Sequence, residues 1–266
     1  MGFLHNAGIG DEKLEYINGL AIFIDILGTQ ECTQENNFNK LYNINKIFHK
    51  ELKTLKKRQR LCKKFVTSFS DCAYIIYIID KTHEDNSFYM FIQDSLIDLS
   101  YTISTILVND FLCRGGIYLG KLYFEEENNL LFGPAVIEAY KLEKNGIMPR
   151  IIIDDKLGRE FYLKEGEFNV KNFQRIIRKD TFDNRYYLNY LNIFSQFDYL
   201  DIDDGLFNEK IQFGENKYNF DEYYNILKTK SVETVKKNND HNIIAKHKWQ
   251  LRYLSQHLNE RSRIND

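Results

Sequence analysis

Ala21-Ile22-Phe23-Ile24-Asp25-Ile26-Leu27-Gly28 sets one carboxylate inside an otherwise apolar run. The run is short, rich in Ile and closed by Gly, and it reads as a buried strand over residues 20–28. An ionised carboxylate is costly to bury without a partner. Phe69-Ser70-Asp71-Cys72-Ala73-Tyr74-Ile75-Ile76 repeats the event further on. Two carboxylates carried in strand-like runs point to a shared cation.

Outward from these runs, Leu41, Ile44, Phe48, Leu52 and Leu55 have helical spacing within residues 38–60. The cations late in that helix, Lys50, Lys53, Lys56, Lys57, Arg58 and Arg60, read as a solvated end favoured by the helix dipole. Residues 64–79 read as a strand pair turning at Ser70-Asp71, and His83 to Asn86 as a loop. Ile92, Leu96, Leu99, Ile103 and Ile106 mark a long amphipathic helix over residues 88–111. A strand broken by Gly115, Gly116 and Gly120 follows, then a helix over residues 135–144 and a strand from Pro149 to Asp154. The order predicts an α+β fold with a ferredoxin-like βαββαβ core, an antiparallel sheet with helices on one face. Residues 1–160 form this core. Residues 161–266 read as a mostly helical extension, with a small hairpin in 183–193 and helices over 220–231 and 241–261. Trp249, at helical spacing from Tyr253, reads as an anchor packed on the core or on a partner.

With 43% hydrophobic residues the chain can bury a core, and a net charge of −2 argues against a dedicated nucleic-acid binder. Cys32, Cys62, Cys72 and Cys113 show no C-x-x-C spacing and read as reduced thiols. The start Met1 to Asn6 does not resemble a signal peptide, and no uncharged apolar run reaches the roughly 18 residues of a membrane span. A soluble, cytoplasmic protein is expected.

Four segments in order resemble the class III nucleotidyl cyclase catalytic domain. They are AIFIDILG (21–28), FSD (69–71), RGGIYLG (114–120) and FGPAVIEAYKLE (132–143), and the likeness covers roughly residues 18–155. Their wording, with PRIII at 149–153, is closer still to the pyrimidine cyclases of the bacterial Pycsar antiphage system. The resemblance implies an enzyme in which Asp25, Asp71 and the Ile26 carbonyl hold two Mn2+ or Mg2+ ions. The ribose 3′-hydroxyl of UTP or CTP then attacks the α-phosphate. It also implies a head-to-tail homodimer with its sites at the interface.

Gly28 and Thr29 stand where backbone amides would hold phosphates, although an ordinary turn glycine reads equally well there. Asp71 after Ser70 is also good turn chemistry, whereas Asp25 in mid-strand is not. Purine cyclases carry charged or polar base-reading residues at the positions of Thr67 and Leu130. Their absence argues against purine reading. Ile137 and Lys141 replace the family's transition-state Asn and Arg, which leaves Lys141, Arg114 and Arg150 as candidate phosphate clamps. Pairing of Arg114 with Asp110 is the plainer alternative. Two other functions compete: a purine cyclase with unusual base contacts, and a lapsed cyclase-like domain that binds nucleotide and regulates a partner.

Overall fold

A computed structural model describes residues 15–34, 37–58, 63–78, 85–168, 170–195 and 210–262. The Met1–Asn6 start, Arg60, Cys62 and His83 lie outside them. The first half runs β1 (Ile17–Ile26), α1 (Thr29–Gln34), α2 (Phe38–Lys57), β2 (Lys64–Phe69), β3 (Cys72–Ile78), α3 (Asp85–Val108), β4 (Cys113–Glu125), β5 (Leu130–Phe132), α4 (Pro134–Lys144) and β6 (Ile151–Ile153). The second half adds α5 (Asp155–Glu167), β7 (Ile177–Lys179), β8 (Tyr186–Leu188), β9 (Ile211–Phe213), β10 (Asn216–Tyr218), α6 (Phe220–Lys237) and α7 (His241–Ser262). Strands pair in the order β2-β3-β1-β4-β6-β8-β7, with β5 folded back on β4. The expected α+β core stands.

Burial on both faces of β1 explains its uninterrupted apolar run. Leu20, Ile22 and Ile24 point to one face, against Ile44 and Phe48 of α2 and Ile92 and Leu96 of α3. Ala21 and Phe23 point to the other, against Ala135, Val136 and Ala139 of α4. This corrects the expectation that the helices share one face: α4 covers the second. The crossover through α4 also makes β4 and β6 a parallel pair in an otherwise antiparallel sheet.

Gly116 lets α4 close on the sheet. A Cβ there would lie 2.1 Å from the Ala139 carbonyl oxygen and 2.6 Å from Leu142 Cβ. Gly116→Ala should therefore lower stability by about 3 kcal/mol, the upper range of overpacking costs. A urea-unfolding midpoint indistinguishable from wild type would refute this packing.

The second half does not form a separate layer. Helix α5 crosses the expected boundary at residue 160, and β8 and β7 extend the same sheet beyond β6. Phe220, Tyr223, Trp249 and Tyr253 join the apolar cluster that holds Leu20 and Ile22. The expected hairpin lies further back than residues 183–193. Its strands are β7 and β8, because Asp180 accepts at its carbonyl from the Asn184 amide and at its carboxylate from the Phe182 amide, closing the turn between them. Trp249 does anchor α7: its ring meets Tyr187 of β8 edge-on at 5.7 Å and its indole N–H donates to Asp180 Oδ2 at 2.8 Å.

The basic end of α2 is only partly solvated. Lys56 pairs with exposed Glu126, but Arg58 joins Lys64 and Tyr77 in surrounding the wholly buried Asp98 carboxylate.

Candidate active site

The site gathers at one end of the sheet. Register sets Asp25 beside Cys72 of β3 on one side and Arg114 of β4 on the other. The turn between β2 and β3 delivers Asp71 to the same edge, where its carbonyl accepts from the Ile26 amide at 3.0 Å. Ser70 takes φ 54° in that turn, a left-handed conformation uncommon outside Gly, Asn and Asp. Two strand ends thus bring together carboxylates 46 residues apart in sequence.

Each carboxylate has a protein partner. The Thr29 hydroxyl donates to Asp71 Oδ2. Arg114 bridges two acids: its Nη2 lies 3.4 Å from Asp25 Oδ2 and its Nε lies against Glu143 Oε1 at the end of α4. The alternative partner Asp110 is instead 3.9 Å from Lys230. Burial raises the Asp25 pKa from 3.8 to about 6, with Glu143 and Asp71 adding to the rise and Arg114 opposing it. Burial also raises Glu143. Cys72, between the strands, is pushed up by burial and by Asp25 and Asp71.

Three carboxylates against one guanidinium leave a negative locus that a divalent cation would relieve. Oxygen donors suit Mg2+ or Mn2+. Arg114 engages Glu143, and among the described residues no three His, Cys, Asp or Glu side chains gather as a metal cage. Asp25 and Asp71 fit a cation that completes its shell from backbone, water or phosphate oxygens.

The remaining predicted residues divide by place. Gly28, at φ 95°, turns the chain into α1, which begins at Thr29 and has six residues. Thr67 pairs with Tyr74, which pairs with Phe23, so Thr67 shares the sheet face of Asp25. The Phe23 ring packs 4.7 Å from Tyr74 and 5.4 Å from Tyr140 of α4, forming an aromatic wall on that face. Ile137 and Lys141 are exposed on α4, and Lys141 pairs with Glu138 at 2.7 Å.

Leu130 is not brought to this site. It pairs with Glu125, whereas Asp25 pairs with Arg114. The two ends of β4 are therefore about 35 Å apart at the usual strand rise. Leu130 instead lines an apolar hollow of about 260 Å³ with Tyr16, Tyr123 and Phe132.

Arg150 departs from its expected role as a clamp. Its guanidinium is buried, bonded to Asp180 and Asp183 and set over the Tyr187 and Trp249 rings, so it is not presented to a phosphate. Glu143 was missing from the predicted set. Its one sequence signal is an acid on the face of α4 that also carries Val136 and Ala139.

No described helix is long and apolar enough to cross a membrane. No model of a known protein family matches the chain, and no curated protein matches it. Among solved structures it is similar to the catalytic core of a rhodopsin-guanylyl cyclase with converted specificity in complex with ATPalphaS. Identity is 15% and the TM-score 0.43, over 65% of this chain and 96% of that one.

Proposed function

We propose that the chain is a metal-dependent nucleotide cyclase that converts UTP or CTP to the 3′,5′-cyclic monophosphate and pyrophosphate. The observation that carries this reading is the meeting of Asp25 and Asp71 at one strand edge, with the Asp25 pKa raised to about 6 by burial and neighbouring acids. Asp25, Asp71 and the Ile26 carbonyl would hold two Mn2+ or Mg2+ ions. Bound ions would lower the pKa of the ribose 3′-hydroxyl and offset the triphosphate charge. The residues of the chain do the positioning. Arg114 orients Asp25 and neutralises Glu143. Thr29 fixes the Asp71 carboxylate, and the turn at Gly28 presents amides to phosphate oxygens. Lys141 offers a charge without a guanidinium fork.

Thr67 can give or take one hydrogen bond, and Leu130 can give none, which suits a small pyrimidine edge better than a purine. The distance between Leu130 and Asp25 supports a head-to-tail homodimer, in which one subunit supplies carboxylates and its partner the base pocket. The likeness of sequence motifs to the Pycsar cyclases supports a cytoplasmic role in bacterial antiphage signalling. A second reading, a nucleotide-binding regulator without turnover, is favoured by exposed Ile137 and sequestered Arg150.

Incubation with each of the four ribonucleoside triphosphates and Mn2+, with products identified by mass, separates these readings. Cyclic UMP or cyclic CMP is expected. Cyclic AMP or cyclic GMP as the main product would overturn the pyrimidine assignment. Nucleotide binding without any cyclic product would establish the second reading.

A further inference from the structure

Far from the carboxylate pair, a cavity of about 300 Å³ opens beside the β7–β8 hairpin, where α5 and α7 meet it. Tyr162, Arg175, Arg178, Lys179, Asn184 and Gln256 line it, together with the acids Asp180 and Glu260. Three cations on five consecutive positions of one segment face a single hollow, and nothing in the proposed reaction uses them.

Most acid oxygens at the cavity are engaged, Glu260 Oε2 being the buried exception. Asp180 on the rim serves Arg150, the Trp249 indole, Arg252 and the Phe182 amide. Glu260 takes Arg178 through Oε1 at 2.6 Å. Buried Glu165, beside Arg175, accepts from the Ile176 and Ile177 amides. Arg175 lies 4.0 Å above the Tyr162 ring and donates to the Tyr162 carbonyl, while Lys179 lies 5.5 Å from the Tyr186 ring. Among the described residues neither has a carboxylate within ion-pair distance. Arg178 is buried and its Nη1 finds no hydrogen-bond partner, nor does the buried Nε of Arg175. A buried guanidinium N–H without an acceptor is costly.

We infer that this cavity is a binding site for a small phosphate-bearing anion. A tetrahedral oxyanion would supply acceptors to Arg175 and Lys179, which share the α5 side of the hairpin, with Asn184 adding a neutral donor and Arg178 lending charge from the α7 side. The volume holds a phosphate with an attached sugar as well as a free ion. Such a ligand would tie the β7–β8 hairpin to α7 and stabilise the fold by mass action.

Calorimetric titration of the full chain in metal-free buffer tests this, with inorganic phosphate and ribose 5-phosphate as separate probes. Lys179 is exposed, so Lys179→Gln leaves the fold intact, and Arg175→Gln gives a second variant. Each substitution should weaken binding at least fivefold, with unchanged circular dichroism. Tighter binding of ribose 5-phosphate than of phosphate assigns a phosphorylated sugar, and equal binding assigns the free ion. Absence of binding of both probes at 10 mM (about 2.7 kcal/mol in affinity terms at 25 °C), or equal affinity in wild type and both variants, overturns the proposal. Neither result bears on the cyclase reading, which rests on other residues.

Discussion

Asp25→Asn should leave a more stable protein that has lost its activity. Asparagine keeps the shape but cannot supply the anionic ligand, and cyclase turnover is expected to fall more than 100-fold, about 3 kcal/mol of transition-state stabilisation. Stability moves the other way. The Asp25 pKa is about 6 in the folded chain against an ordinary 3.8, so the fold prefers the protonated acid. That preference stabilises fully below pH 3.8 and is lost as pH rises through about 6. At about 1.4 kcal/mol per pH unit, ionisation costs the fold about 3 kcal/mol by neutral pH. The partial exposure of Asp25 to water brings this nearer 1–2 kcal/mol. Thermal unfolding at pH 7.5 should then show Asp25→Asn melting roughly 3–6 °C above wild type. The gap should close as pH is lowered to 4. An equal or lower melting temperature at pH 7.5 would mean that Asp25 is not under this electrostatic load.

Asp180→Ala carries the largest expected loss of stability. The Asp180 carboxylate is buried and receives Arg150, Trp249 and Arg252. Its removal strips buried Arg150 of one of its two acids and the indole of its acceptor. Breaking a buried ion pair from one side costs about 3–5 kcal/mol. Trp249 is the chain's single tryptophan, so its fluorescence reports directly whether α7 stays seated. The unfolding midpoint in urea should drop sharply and the emission shift to the red. Adding Arg150→Met should recover part of the loss, since the orphaned charge is then gone. A drop below about 1 kcal/mol would show that Asp183 alone satisfies Arg150.

The sequence carried the core of the fold because its signals there are long. β1 is a ten-residue strand, Ile17–Ile26, with Asp25 as its single charge, and α2 and α3 show apolar residues at steps of three and four. The side of the sheet that α4 occupies was not legible, because helical periodicity gives a face and not a destination. β7, β8, β9 and β10 have three residues each, too few for a period of two to emerge. At the site, the two carboxylates stood out because their apolar surroundings made them costly. Glu143 did not, because an acid near a helix end looks solvated until packing shows it against Arg114. Arg150 misled for the converse reason: its acids lie 30 and 33 residues onward, beyond any local pattern.

The length of β4 has one more consequence. The thirteen-residue strand Cys113–Glu125 keeps the acidic end and the Leu130 hollow at opposite tips of every copy. On the proposed reading a solitary molecule holds two unmatched halves and is silent. Output then climbs with the square of abundance while copies are scarce, so a modest rise in expression acts as a threshold rather than a dial.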